Sequence, residues 1–184
     1  KPELTAETID ADGWVATGDI GMFDDRGNLV IIDRKKNMFK LSQGEYVTPE
    51  RIEIIYTDSP LIDQAYIHGE SLQSVLVGVF VPNEEFLRRE LSNNPNVSNL
   101  SEMTFAEMCE NKHVVEFMLG VVNDWGRKNN LKGFEIPKRI HLESAQFSIE
   151  NDILTPTLKI KRPSAKKHYA NIIRKLYDEL NSAK

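Results

Sequence analysis

The sequence predicts an α+β fold: a small domain with a hairpin and about three strands packed with helices, preceded by a strand-rich segment of different character. Three observations carry this. Residues 61–68 and 74–81 read as two strands, and the second (Val75, Leu76, Val77, Gly78, Val79, Phe80, Val81) is so continuously apolar that it reads as central in a sheet. Apolar residues recur at helical spacing in 113–129 and 165–180. The character of the chain changes at Asp33-Arg34-Lys35-Lys36-Asn37, a charged break. It divides the chain into 1–33, the end of a larger domain, a linker at 34–37, and a domain at 38–184.

Taken in order, residues 14–33 read as short strands broken by turns. Asp24-Asp25-Arg26-Gly27-Asn28 is a hairpin turn in which Gly27 can take positive φ, and Leu29 to Ile32 follow as a buried strand. Residues 38–41 and 45–47 flank Ser42-Gln43-Gly44, a second hairpin. Thr48 is the expected N-cap of a helix that has Pro49 in its first turn. Pro82-Asn83 ends the central strand and opens a helix over 84–91. A polar loop is expected at 93–101, then helices over 105–110 and 113–129. Phe117, Leu119, Val121, Val122 and Trp125 are the expected apolar face of the longer one. Extended chain returns at 136–142 after Pro137, residues 153–161 form a threonine-rich turn, and one helix is expected over 165–180, burying Tyr169, Ile172, Ile173, Leu176 and Leu180.

Hydrophobic residues make up 40% of the chain and charged residues 28%, the balance of an ordinary globular protein. A net charge of −5 argues against nucleic acid as a partner, since a phosphate backbone demands a basic footprint. The single cysteine, Cys109, forms no internal disulfide and suits a reducing compartment. No apolar run approaches the ~20 residues of a membrane helix. The chain opens Lys-Pro-Glu-Leu, without an initiator Met, which reads as a piece cut from a longer protein.

Three segments could carry chemistry. In Gly13-Trp14-Val15-Ala16-Thr17-Gly18-Asp19-Ile20-Gly21, an acid after a glycine can accept two hydrogen bonds from vicinal hydroxyls, or can simply stabilise its own turn. In the stretch from Asp33 to Glu45, Arg34 offers a planar fork and Lys40 a point charge; a solvated charge run at a linker explains the same residues. In Leu154-Thr155-Pro156-Thr157-Leu158-Lys159-Ile160-Lys161-Arg162-Pro163, a lysine on a turn could meet anionic oxygen in a transition state, or could belong to a basic surface loop.

Together, in this order and spacing, the three resemble the adenylate-forming superfamily of acyl-CoA synthetases, firefly luciferases and peptide-synthetase adenylation domains. Lys40-Leu-Ser-Gln-Gly-Glu-Tyr-Val47 and Leu154-Thr-Pro-Thr-Leu-Lys159 look like the long-chain fatty acyl-CoA synthetase branch, where Leu158 stands in place of the glycine usual elsewhere in the superfamily. The resemblance covers essentially the whole chain.

It implies a ligase that joins fatty acid and ATP into acyl-AMP and pyrophosphate, then passes the acyl group to CoA, with a small C-terminal domain rotating between the two steps. Asp19 would bind the ribose of ATP and AMP, Arg34 would contact the nucleotide, and Lys36 would be the hinge. Lys159 would be catalytic, offsetting the repulsion between the incoming carboxylate and the α-phosphate. Ser42, Gln43, Gly44 and Glu45 would face the CoA arm in the second step, and Lys40 would contact the same region. Mg²⁺ would arrive with ATP, since no ligand set for it is evident here.

The missing partner is the chain's own N-terminal adenylation domain, with the phosphate-binding loop and the acyl tunnel, so the piece alone is expected to be inactive. The competing expectations are another adenylate-forming ligase, for shorter acids or luciferase-like, and a non-catalytic interaction domain. The resemblance also implies a cytoplasmic place and leaves open a peripheral contact of the whole enzyme with the cytosolic face of an internal membrane.

Overall fold

The computed structural model describes residues 2–92, 94 and 102–182. Of the expected polar loop at 93–101, only Asn94 falls within them. Helix α1 (Pro2–Thr8) is followed by a hairpin of β1 (Asp19–Phe23) and β2 (Leu29–Arg34), then by a two-residue hairpin of β3 (Phe39–Lys40) and β4 (Tyr46–Val47). The domain proper follows: α2 (Pro49–Thr57), β5 (Ile62–His68), β6 (Val77–Pro82), α3 (Glu84–Leu91), α4 (Phe105–Glu110), α5 (Lys112–Lys128), β7 (Arg139–Leu142), α6 (Arg162–His168) and α7 (Ala170–Ser182). This is the expected α+β architecture.

The sheet has the order β5-β6-β7, antiparallel between β5 and β6 and parallel between β6 and β7, so β6 is central as its apolar run predicts. Alternate residues go to opposite faces. Ala65, Ile67, Leu76 and Phe80 pack with Ile52 and Tyr56 of α2 and with Val114, Met118 and Val122 of α5. Tyr66, Val77, Val79 and Val81 pack against Phe147, Ile153, Ala165, Tyr169, Ile173 and Leu176. A sheet covered on both faces needs a central strand with no polar side, and Val77–Pro82 has none exposed.

Of the helix starts, Asn83 acts as expected, Thr104–Glu107 was not anticipated, and Thr48 differs. The Asn83 side chain accepts from the Phe86 N–H, and Thr104 and Glu107 form a reciprocal capping box. Thr48 occupies the N-cap of α2, but its side chain caps nothing. The buried stripe of α5 is Val114, Met118, Val122 and Gly126, while Phe117, Leu119, Val121 and Trp125 flank it half-buried. The single helix expected over 165–180 is two. Tyr169 breaks it at φ −93° and ψ 12°, buried with its ring against Tyr66 and Phe147.

Leu29 to Ile32 form the expected strand, and the turn before it holds Gly27 at φ +79°. The expectation that this strand is buried fails. Leu29, Val30 and Ile31 are exposed, as are Met22 and Phe23 opposite, because nothing in the described residues covers that end of the hairpin.

Candidate functional site

Residues 153–161 form a pinched loop. Its legs are tied by the Leu154–Ile160 bridge and by Lys161 N–H donating to the Ile153 carbonyl at 2.8 Å. At the tip, Thr155 N–H donates to the Lys159 carbonyl, Leu158 N–H to the Thr155 carbonyl, and Lys159 N–H to Thr155 Oγ1 at 3.0 Å. Closing so tight a turn puts Leu158 at φ +60°, in the left-handed region, with its side chain 71% exposed. The turn points Lys159 outward, and the lysine Nζ donates to Glu50 Oε1 at 3.2 Å. With the Lys159 side chain 70% exposed, this is a solvent-facing pair.

Glu50 and Glu53 lie on one face of α2, three residues apart. Glu53 is buried and grips Arg162 through two bonds, Nη2 to Oε2 at 2.6 Å and Nη1 to Oε1 at 3.1 Å. The same Oε1 accepts from Ile67 N–H of the edge strand β5 at 2.8 Å. Burial pushes the Glu53 carboxyl up to about 7, against the pull of Arg162 and of the Ile67 N–H.

Arg34, Lys36, Glu50, Glu53, Lys159 and Arg162 line one cleft of about 1090 Å³ between the linker, α2 and the lysine loop. Asp19 does not line it, but its Oδ1 accepts from Arg34 Nε at 2.8 Å. Lys36 lies in the turn after β2, where Asn37 N–H and Met38 N–H both donate to the Arg34 carbonyl. Buried Asp33 braces this turn, accepting from Arg34 N–H at 2.6 Å and Asn37 Nδ2 at 3.3 Å through Oδ1.

The remaining expected residues lie elsewhere. Lys40, Ser42, Gln43, Gly44 and Glu45 belong to the β3–β4 hairpin and none lines the Lys159 cleft. Ser42 N–H and Gln43 Nε2 donate to the Gln73 and Ser74 carbonyls, each at 3.0 Å, which docks the hairpin on the 70–74 loop. Gly44 turns the chain at φ +95°, open to glycine at no steric cost. Lys40 Nζ lies 5.4 Å from the Tyr46 ring centroid. The candidates therefore fall into two groups: Arg34, Lys36 and Lys159 around one cleft, with Asp19 paired to Arg34 beside it, and 40–45 on a separate hairpin.

The sequence reading missed Glu50, Glu53 and the role of Arg162. Their signal was a pair of acids at helical spacing after Thr48-Pro49. Its partners, Lys159 and Arg162, are also three apart, but 109 residues away. Among the described residues no three His, Cys, Asp or Glu gather as a metal-ligand set.

The arrangement puts an exposed ammonium, Lys159, and the Arg34 guanidinium on one open cleft. No protein-family model matches the chain. Over 179 residues, 97% of its length, it is 43% identical to long chain acyl-CoA synthetase 2 of Arabidopsis thaliana, and over 178 residues it is 44% identical to human long-chain-fatty-acid–CoA ligase 6. It spans 26% and 24% of those relatives, about a quarter of their length. The A domain of carboxylic acid reductase from Segniliparus rugosus, in complex with AMP and a co-purified carboxylic acid, aligns at a TM-score of 0.81 and 33% identity, covering 97% of this chain and 26% of that one. O-succinylbenzoate coenzyme A synthetase from Bacillus subtilis, in complex with AMP, shares the fold at a TM-score of 0.56 and 18% identity over 89% of this chain and 26% of its own.

Proposed function

We propose that this chain, homologous over almost its whole length to one quarter of the long-chain acyl-CoA synthetases, supplies the mobile catalytic lobe of an AMP-forming long-chain fatty acid:CoA ligase. The observation that carries this reading is the state of Lys159. It stands at the tip of a braced turn, exposed, tethered by one surface pair, above a cleft shared with Arg34 and the linker turn. A cation that must enter a pocket built by another lobe has to be held this lightly.

In the first half-reaction the fatty acid carboxylate attacks the α-phosphorus of ATP and pyrophosphate leaves. Lys159 would lie between the two anions, offsetting their repulsion and the charge that builds on the phosphoryl oxygens. Asp19 would accept from the ribose hydroxyls, and Arg34, freed from Asp19, would turn its fork to the nucleotide. In the second half-reaction the CoA thiol attacks the acyl-AMP carbonyl, AMP leaves and the thiol proton is released. The lobe would have turned about 34–37, with Lys36 absorbing torsion, so that Gly44 and its neighbours face the CoA arm. That Lys159 and the 40–45 hairpin lie apart on the 38–184 domain suits a lobe that shows one at each step. Mg²⁺ would come with ATP, and no step here is assigned to it.

The exposed apolar end of β1–β2 supports a large lobe contributed by sequence outside these residues. Met22, Phe23, Leu29 and Ile31 present an apolar surface that a covering domain would bury. The reading places the lobe in the cytoplasm, with any membrane contact made by that other part.

The test is single-turnover assay of the whole enzyme carrying this chain. Lys159→Ala is expected to lower acyl-AMP formation at least ~100-fold, the loss typical of removing one preorganised stabilising group. Conversion of supplied acyl-AMP to acyl-CoA should be spared. A series of acids of increasing chain length should peak among long chains. A Lys159→Ala enzyme that forms acyl-AMP at the normal rate sinks the assignment.

A further inference from the structure

Lys159 and Arg162 are three residues apart, as are their partners Glu50 and Glu53, and the two ion pairs are built differently. Lys159–Glu50 is a single bond at 3.2 Å between exposed groups. Arg162–Glu53 is two-pronged, at 2.6 and 3.1 Å, and its side chains are only 18% and 8% exposed. The first pair can open at little cost, whereas the second leaves a buried charge unpaired if it opens.

Glu53 also holds more than Arg162. Its Oε1 accepts the Ile67 N–H, a donor on the edge strand β5, at 2.8 Å. Three elements therefore meet on one carboxylate: α2, the end of β5, and the first residue of α6. Arg162 is where the outgoing leg of the lysine loop becomes α6. The other leg enters the core at Ile153, fully buried, and Asp152 ties the two legs, accepting from Lys161 Nζ at 2.7 Å and Ser164 Oγ at 2.8 Å. The lysine tip thus stands on two fixed feet, and the clamp on the outgoing foot is the one that reaches across to α2.

We propose that Glu53 and Arg162 are positioning residues for Lys159: their buried two-pronged bond fixes the outgoing leg of the loop to α2 so that the lysine tip projects at a set height, while Glu50 rests the ammonium until an anion takes its place. The inference rests on the proposed role of Lys159. A planar fork on a carboxylate fixes direction as well as distance, which an ammonium does not. Displacements of about 1 Å in a catalytic group are enough to cost on the order of 100-fold in rate.

The experiment uses Arg162→Lys, which keeps the charge and loses the fork, and Glu53→Gln, which keeps the shape and weakens the bond. In the whole enzyme carrying the chain, each is expected to lower kcat for acyl-AMP formation at least ~10-fold, with KM for the fatty acid unchanged and the conversion of supplied acyl-AMP to acyl-CoA within about twofold of wild type. A merely structural role would lower both half-reactions together, and that result overturns the proposal, as does normal adenylation in both variants. In the 184-residue chain itself, amide exchange of residues 155–161 should quicken in both variants while β5–β7 stays protected. Unchanged exchange in the loop, or loss of protection throughout the sheet, overturns it too. The exchange arm does not depend on catalysis. If the wild-type enzyme forms no acyl-AMP, the proposed function falls, and the exchange arm still decides whether the clamp orders the loop.

Discussion

Asp19 and Arg34 are register partners across the β1–β2 hairpin, and the arginine Nε reaches the aspartate Oδ1 at 2.8 Å. The two groups proposed to meet one nucleotide are thus partners of each other in the hairpin. Their side chains are 27% and 55% exposed, so the pair contributes no more than ~1 kcal/mol to folding. Hydrogen bonds from a ribose diol to the carboxylate are charge-assisted, each worth ~1.5–3 kcal/mol. Asp19→Ala is therefore expected to leave the urea midpoint of the chain nearly unmoved while weakening nucleotide binding by the whole enzyme at least ~10-fold. Denaturation and nucleotide titration of the same variant check this, and a binding loss that merely follows a stability loss would refute the assignment.

Leu158 adopts φ +60°, which costs an L-residue ~1–2 kcal/mol. Glycine takes this conformation freely but brings ~0.5–1 kcal/mol of extra freedom to the unfolded chain. Leu158→Gly should therefore be as stable as wild type or up to about 1.5 kcal/mol more so, despite removing a large apolar side chain. That side chain is 71% exposed, so little burial is lost. Leu158→Ile, stiffer at χ1, should lower stability by ~1 kcal/mol or more. Urea unfolding of the two variants separates them; destabilisation by glycine would mean the leucine makes a contact that outweighs its strain.

The legible parts of this molecule are those specified by neighbours in sequence. Pro82-Asn83 stops one element and starts the next, and α3 runs over the expected 84–91. The apolar run at 75–81 could only be a strand with both faces covered, and β6 is one. What pairs over distance stayed hidden: Glu53 and Arg162 are 109 residues apart, and nothing local marks either as a partner. Leu29 to Ile31 show a further gap. An apolar strand says that something covers it, without saying that the cover lies in the same chain. The bend at Tyr169 was invisible because helical spacing continues through it; the ring turns inward to meet Tyr66 and Phe147. The resemblance already assigned Lys159 and 40–45 to different steps, and the fold places them apart, in the cleft and on a separate hairpin.

Tyr56 is fully buried, and its hydroxyl finds no hydrogen-bond partner among the described residues. The same oxygen lies 2.8 Å from where a Cβ on Gly126 would stand, with Ile136 Cγ1 at 3.1 Å. Glycine in α5 is thus required by its neighbour. Tyr56→Phe should stabilise the chain by ~1 kcal/mol, since it removes an unsatisfied polar group and keeps the edge-on ring contact with Phe80 at 5.3 Å. Gly126→Ala should destabilise by ~1–3 kcal/mol through overpacking. In the double variant the two changes should couple favourably, because the clashing oxygen is gone. A four-member unfolding cycle measures this, and strict additivity would show that Ile136 alone sets the limit.

His68 and His141 set an acid limit on stability. Burial lowers both below the usual histidine value of 6.5, although Glu70 bonded to His68 and the charge of Glu143 near His141 pull the other way. The unfolded chain therefore binds more protons than the folded one below about 6.5. The stability these neutral rings contribute is complete above that pH and is lost as pH falls through it toward their folded values. Glu53 acts in the opposite sense: its raised carboxyl gives stability that is present at acid pH and lost as pH rises through about 7. The wild-type profile is the sum of these slopes, so the histidine part has to be isolated by difference. Subtracting the unfolding free energy of a His68→Gln, His141→Gln variant from that of wild type should give a constant above about pH 7 and a value that declines steadily toward pH 5.5. A difference that stays flat, or grows toward acid, would mean that both rings carry their proton inside the fold, with Glu70 and Glu143 outweighing the loss of water.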